Sequence, residues 1–149
     1  MKQPIILASL LFAFLAPTAQ ADDRCSNGEL HGVYSFSAAG TIVANPSPLP
    51  AGPFVAAGRT TYDGNGNASG VIQISLNGSI VPPGQASTWI GTYAMDPSTC
   101  TTTKTLTITS GPLAGVSLHF FITAGSGFSE LRFIATDQYT AISGSARKQ

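Results

Sequence analysis

Beyond residue 22, apolar and polar positions alternate every second residue, and no stretch sustains the helical period of about 3.6 residues. Eight such segments stand out, at residues 32–43, 54–62, 68–77, 87–95, 101–109, 116–124, 128–136 and 139–146. In the first, Tyr34, Phe36, Ala38 and Ile42 share one face, while Ser35, Ser37 and Thr41 share the other. The third aligns Ile72, Ile74 and Leu76, and the fourth aligns Trp89, Gly91 and Tyr93. The fifth is the most regular: Thr101, Thr103, Thr105, Thr107 and Thr109 alternate with Thr102, Lys104, Leu106 and Ile108. The sixth collects Val116, Leu118, Phe120 and Ile122, the seventh Leu131 and Phe133, and the eighth Ile142. Each segment reads as a strand with one face on a core and one in water.

The intervening residues predict that consecutive strands pair as hairpins. A turn at Gly64-Asn65-Gly66 sets Phe54 opposite Leu76 and Ala56 opposite Ile74. A two-residue turn at Gly125-Ser126 sets Phe120 opposite Leu131 and Leu118 opposite Phe133, and one at Asp137-Gln138 sets Phe133 opposite Ile142. Every one of these registers keeps a face apolar. The expected fold is therefore all-β, an eight-stranded antiparallel up-and-down barrel, with a β-sandwich as the alternative arrangement. Turns at the end where the first strand begins are short. Loops at the other end, 44–53, 78–86 and 110–115, are mostly longer and rich in proline and glycine, which makes that end the expected mouth.

The first 21 residues lie outside this pattern. Lys2 precedes an apolar run at 5–16, Pro17 breaks it, and Ala19-Gln20-Ala21 puts small residues where a signal peptidase reads. The expectation is a leader at 1–21, cut after Ala21, and one barrel domain at 22–149, secreted or periplasmic. About 12 apolar residues fall short of the roughly 20 that span a bilayer as a helix. The remainder carries six Lys or Arg and seven Asp or Glu, the full chain having seven of each and Lys2 leaving with the leader. Without a basic stripe, nucleic acid is not an expected partner. Export makes a Cys25–Cys100 disulfide the default, because the first cysteine precedes the first strand and the second follows a turn at the same barrel end.

The segment Leu30-His31-Gly32-Val33-Tyr34 resembles the Gly-x-aromatic opening of calycins, the lipocalin and avidin-like barrels, and Gly91-Thr92-Tyr93 echoes it. The wider set Gly32-Val33-Tyr34-Ser35-Phe36, Thr61-Tyr62-Asp63-Gly64-Asn65-Gly66-Asn67, Gly91-Thr92-Tyr93 and Cys100-Thr101 is similar to a group of small exported proteins. The resemblance implies a calycin-like barrel that binds a small apolar molecule inside. Tyr34 stands where lipocalins carry tryptophan, and no family ligand set maps onto this chain residue by residue.

If the apolar face lines the interior, the candidate ligand-binding residues are Tyr34, Phe36, Tyr62, Trp89, Tyr93, Phe120 and Phe133. The polar tips of Tyr34, Tyr62, Tyr93, Trp89 and Thr60 need partners there, which a ligand or the packing supplies. On the outer face the expected register sets His119 across from Arg132 and Phe121 across from Glu130, a surface cluster rather than an acid–base site. Phe121, Ile134, Val55 and Ile90 point outward and suggest a homodimer face. Asp63 and Asn65 belong to turn chemistry rather than to a calcium loop, and neither a metal nor a cofactor is expected. Asn67-Ala68-Ser69 and Asn77-Gly78-Ser79 are N-glycosylation sequons, meaningful in a eukaryotic host. The leading reading is an exported module holding a small apolar or aromatic ligand, without membrane insertion. The alternatives are a structural or interaction protein (adhesin, inhibitor or matrix component) and a barrel cyclase or isomerase with the tyrosines as acids.

Overall fold

The computed structural model describes residues 25–43, 47 and 49–149; the leader expected at 1–21 and part of the 44–53 loop lie outside the described residues. The strands are β1 (His31–Ile42), β2 (Gly52–Asp63), β3 (Asn67–Leu76), β4 (Ser79–Val81), β5 (Ser87–Asp96), β6 (Thr101–Ile108), β7 (Ser117–Ala124), β8 (Glu130–Ala135) and β9 (Thr140–Lys148). Setting β4 aside, each strand pairs antiparallel with the next, and β9 pairs back onto β1. The result is a closed eight-stranded up-and-down barrel, and the unbroken ring of pairing leaves no place for two separate sheets. All eight expected segments form strands, each within about two residues of its expected ends.

β4 was not expected. Asn77 and Gly78 both take positive φ, 51° and 79°, the two-residue geometry that reverses a chain in a tight hairpin. The short strand that follows pairs only with β3. Asn77, read above as part of a sequon, is thus a turn residue, and its Nδ2 donates to the Ala51 carbonyl at 2.9 Å.

The core is the barrel interior. Leu118, Ile74, Ile108, Leu131, Ile142 and Leu106 are buried there, and Phe133 packs against them. Glycines on the inner face admit the largest rings. A Cβ on Gly144 would stand 2.8 Å from Phe133 Cε2, one on Gly58 2.9 Å from Phe36 Cε1, and one on Gly70 2.9 Å from Trp89 Cζ2. The same three positions press against the backbone carbonyl of a neighbouring strand, the close approach that a strongly coiled barrel strand requires.

Two of the three expected registers shift. The β2–β3 hairpin is as expected, with Phe54 opposite Leu76 and Ala56 opposite Ile74. Its turn is held by the Asp63 carboxylate, which accepts from Asn65 N at 2.7 Å, Asn67 N at 2.9 Å and Asn67 Nδ2 at 2.7 Å. Between β7 and β8, however, Phe120 lies opposite Ala135 and Ile122 opposite Phe133. The connection runs over 125–129 with a 3-10 turn at Ser126–Phe128, because Phe128 leaves the strand and turns into the core. Between β8 and β9, Phe133 lies opposite Gly144 rather than Ile142. That pairing gives the Phe133 ring the one partner without a side chain. Both shifts are even, four residues and two, so every side chain keeps its expected face.

One barrel end is sealed. The segment before β1 lays Leu30 across the opening, fully buried, and Phe128 packs beside it. Tyr93 Oη donates to the Leu30 carbonyl at 2.8 Å, Tyr34 Oη donates to the Phe128 carbonyl at 2.7 Å, and Asn27 Oδ1 accepts from Met95 N at 2.8 Å. The Cys25–Cys100 disulfide, with Cα atoms 5.1 Å apart, fastens this segment at the expected end. At the opposite end Leu49, from the proline-rich loop, is buried onto the core, so the expected mouth is covered in part.

Candidate functional site

Between the sealed end and the partly covered mouth, the interior keeps a cavity in which the centre of a water-sized sphere can range over about 40 Å³. One water needs roughly 10–15 Å³ on that measure, so the space accepts about three waters or a ligand of a few heavy atoms. Of the seven expected ligand-binding residues, Phe36, Tyr62, Trp89, Phe120 and Phe133 line it together. Phe36, Phe120 and Phe133 face inward yet are only half-buried. Phe133 meets Phe120 and Phe36 edge-on at centroid distances of 5.6 and 6.4 Å. Tyr34 and Tyr93 are buried but do not line the cavity; their hydroxyls hold the sealed end instead. They touch the site through Tyr62, whose ring lies edge-on to Tyr34 at 5.4 Å and to Tyr93 at 5.0 Å.

The residue that sequence reasoning passed over is Lys104. The alternation of β6 places it on the inner face with Leu106 and Ile108, and it is buried in the cavity wall. Its Nζ stands 4.2 Å from the Trp89 ring centroid and 5.1 Å from that of Tyr62. Both ring faces stabilise a cation at such distances. Nζ also donates a long hydrogen bond to Tyr62 Oη at 3.4 Å. Among the described residues the other buried polar side chains are Thr60, Ser87 and Thr102, none of them an acid. Burial therefore lowers the Lys104 pKa from 10.5 to about 7, because the charged form gives up water without gaining a carboxylate. Burial, reinforced by Tyr34 and Tyr93, pushes the Tyr62 phenol well above the usual tyrosine range, so it stays protonated and able to donate.

A second polar group is unsatisfied. Trp89, 1% exposed, has no hydrogen-bond partner for Nε1. A buried donor left unpaired costs about 1–3 kcal/mol, so its presence beside a buried lysine needs a reason. The cavity wall thus joins aromatic rings to a lysine and a phenol, and Trp89 in that wall carries an unpaired, buried indole N–H. All three are donors, and among the described residues no buried acid accompanies them.

The outer wall corrects one expectation and gathers another. The four-residue shift breaks the His119–Arg132 pairing. His119 instead donates from its backbone N to Asp137 Oδ2, and its Nδ1 bonds Asp137 Oδ1, both at 2.7 Å. Arg132 lies opposite Thr123 and near Glu130, 3.5 Å away, while Phe121 lies opposite Ile134 rather than Glu130. Val55, Ala39, Ser143, Ile134 and Phe121 form one outward row across β2, β1, β9, β8 and β7. Ile90 stands apart on β5.

The fold and interior define the class: a closed antiparallel barrel, consistent with a calycin-like fold, with a lysine among aromatic rings at its centre. Compared with protein-family models, with curated proteins and with solved structures, the chain matches none.

Proposed function

We propose that the protein is an exported binding module whose barrel interior takes a small apolar or aromatic ligand. The observation that carries this reading is the mid-barrel cavity, walled by inward-facing phenylalanines that remain half-buried. A barrel evolved for packing alone fills such space with side chains. Export rests on the leader pattern at 1–21 and on the disulfide that closes only a few residues after it, a bond that persists in oxidising compartments. No helix among the described residues is long and apolar enough to cross a membrane. The outward face of β6 carries Thr101, Thr103, Thr105 and Thr107 in place of the apolar band of an outer-membrane barrel.

Trp89 is the one tryptophan of the chain and lies in the cavity wall, so its fluorescence reports occupancy. Titrating the oxidised protein with benzene, toluene and indole is expected to give a saturable change for the smaller rings. Linear, non-saturating responses to all three would end this reading.

The outer row of Val55, Ile134 and Phe121, 55%, 52% and 37% exposed, favours a second reading as a homodimer face. Light scattering across a hundredfold concentration range is expected to show mass rising toward that of a dimer. An Ile134→Lys variant should remain a monomer throughout; identical masses for the two proteins reject the dimer.

A further inference from the structure

We infer that the natural occupant of the cavity is a small carboxylic acid bound as its anion, with the carboxylate held by Lys104 Nζ and the Trp89 indole N–H. The inference rests on the interior-binding reading above and names the ligand class.

Three observations on one cavity carry it. Lys104 Nζ has two aromatic faces and one long hydrogen bond for company, with no acid among the buried polar side chains of the described residues. Trp89 Nε1 is buried and donates to nothing. Tyr62 accepts from the lysine, which leaves its own hydroxyl proton able to turn toward an added acceptor. Each kind of occupant satisfies these groups differently. A hydrocarbon leaves every donor unpaired, and an alcohol or amide pairs one or two but leaves the cation uncompensated. An amine adds a second positive charge. Only an anion both accepts from the donors and neutralises the ammonium in a site where water does not screen the attraction. An inorganic anion meets the charge but leaves the phenylalanine walls uncovered, whereas a carboxylic acid with a short apolar tail meets both. The volume limits that tail to a few heavy atoms unless Phe36, Phe120 or Phe133 moves.

The charge state gives the binding a pH signature. The groups facing Lys104 are Tyr62 from β2, Trp89 and Tyr93 from β5, and Phe120 from β7. Burial raises both tyrosine pKa values, so neither titrates near neutrality. Lys104, lowered to about 7, is the group that changes. Above that value the free protein must take up a proton to bind an anion. Affinity is then expected to fall about tenfold between pH 6 and pH 8.

The test uses the oxidised, 15N-labelled protein, in which the single indole N–H gives one resolved signal. Propionate is expected to shift that signal saturably at pH 6. Propionamide, its neutral isostere, should bind at least tenfold more weakly, and propylammonium and chloride should not match propionate. Lys104→Met should bind the acid and the amide alike and lose the pH dependence. Equal affinity for propionate and propionamide in the unsubstituted protein overturns the acid and leaves the cavity reading standing. Chloride as tight as propionate overturns it as well, since chloride has no tail for the walls to cover. Benzene binding without propionate binding overturns this inference alone, whereas failure of both removes the cavity reading too.

Discussion

The double variant Cys25→Ser, Cys100→Ser is expected to unfold with about 4 kcal/mol less free energy than the oxidised protein, by the chain-entropy cost of closing a loop of this length. The sequence separation of 75 residues is only part of the reason. Around the ring, β6 lies four strands from β1 in either direction, so the bridge joins opposite walls. The segment before β1 must cross the barrel end to reach Cys100, and in crossing it lays down Leu30. The bridge therefore constrains the unfolded chain and also holds the seal. Urea titration of both proteins measures the loss. Hydrogen exchange at Met95 N, which donates to Asn27 Oδ1, reports whether the seal loosens first. A loss below about 1 kcal/mol would mean that Leu30 and its hydrogen bonds hold the end unaided.

What the sequence made legible follows from the two-residue period of a strand. Inner and outer faces were readable because alternation is local, and Tyr34, Ile74, Leu118 and Trp89 all point inward as expected. Register was readable only where the turn had one answer. Asp63 and the glycines around Asn65 admit a single tight turn, and that hairpin came out in the expected register. The β7–β8 and β8–β9 registers were not readable, because an even shift leaves every face unchanged. The residues that decided them, Phe128 and Tyr139, adopt positive φ at 54° and 61°, which non-glycine residues seldom advertise in sequence. Leu30 and Leu49 were invisible as plugs for a related reason: they lie outside any periodic segment, and their burial exists only once the barrel closes.

Lys104 was legible as a position and illegible as chemistry. The threonine alternation of β6 places it inside, but a lysine on a strand is ordinarily solvated, and strand-level reasoning has no term for the rings of Trp89 and Tyr62. Those rings come from β5 and β2, and sequence places no two of the three residues side by side. Tertiary closure creates the site. The outer cluster went the other way: His119 and Arg132 looked adjacent in sequence-derived pairing and are separated by a loop that Phe128 lengthened.

Lys104→Met is expected to stabilise the protein by about 4 kcal/mol more at pH 6 than at pH 10. The lysine pKa is 10.5 unfolded and about 7 folded. Below pH 7 both states carry the proton, and the folded state bears the full penalty of a desolvated charge. From pH 7 to about 10.5 the unfolded chain keeps its proton while the folded barrel releases it. Stability then rises with pH by up to about 1.4 kcal/mol per unit. Tyr62 acts in reverse above pH 10: its raised pKa keeps the folded phenol protonated while the unfolded one ionises, so stability falls again there. The unsubstituted protein should thus be most stable near pH 9 to 10, and the methionine variant should show no rise between pH 7 and 10. Urea unfolding of both at pH 6, 8 and 10 separates the cases. Parallel pH profiles, or a variant weaker at pH 6, would mean that the ammonium is already satisfied inside the barrel. An uncompensated charge is a standing penalty for a fold that only packs, since a methionine fits the same wall without it. That penalty becomes binding energy when an anion enters, because the ligand restores to the ammonium what burial removed.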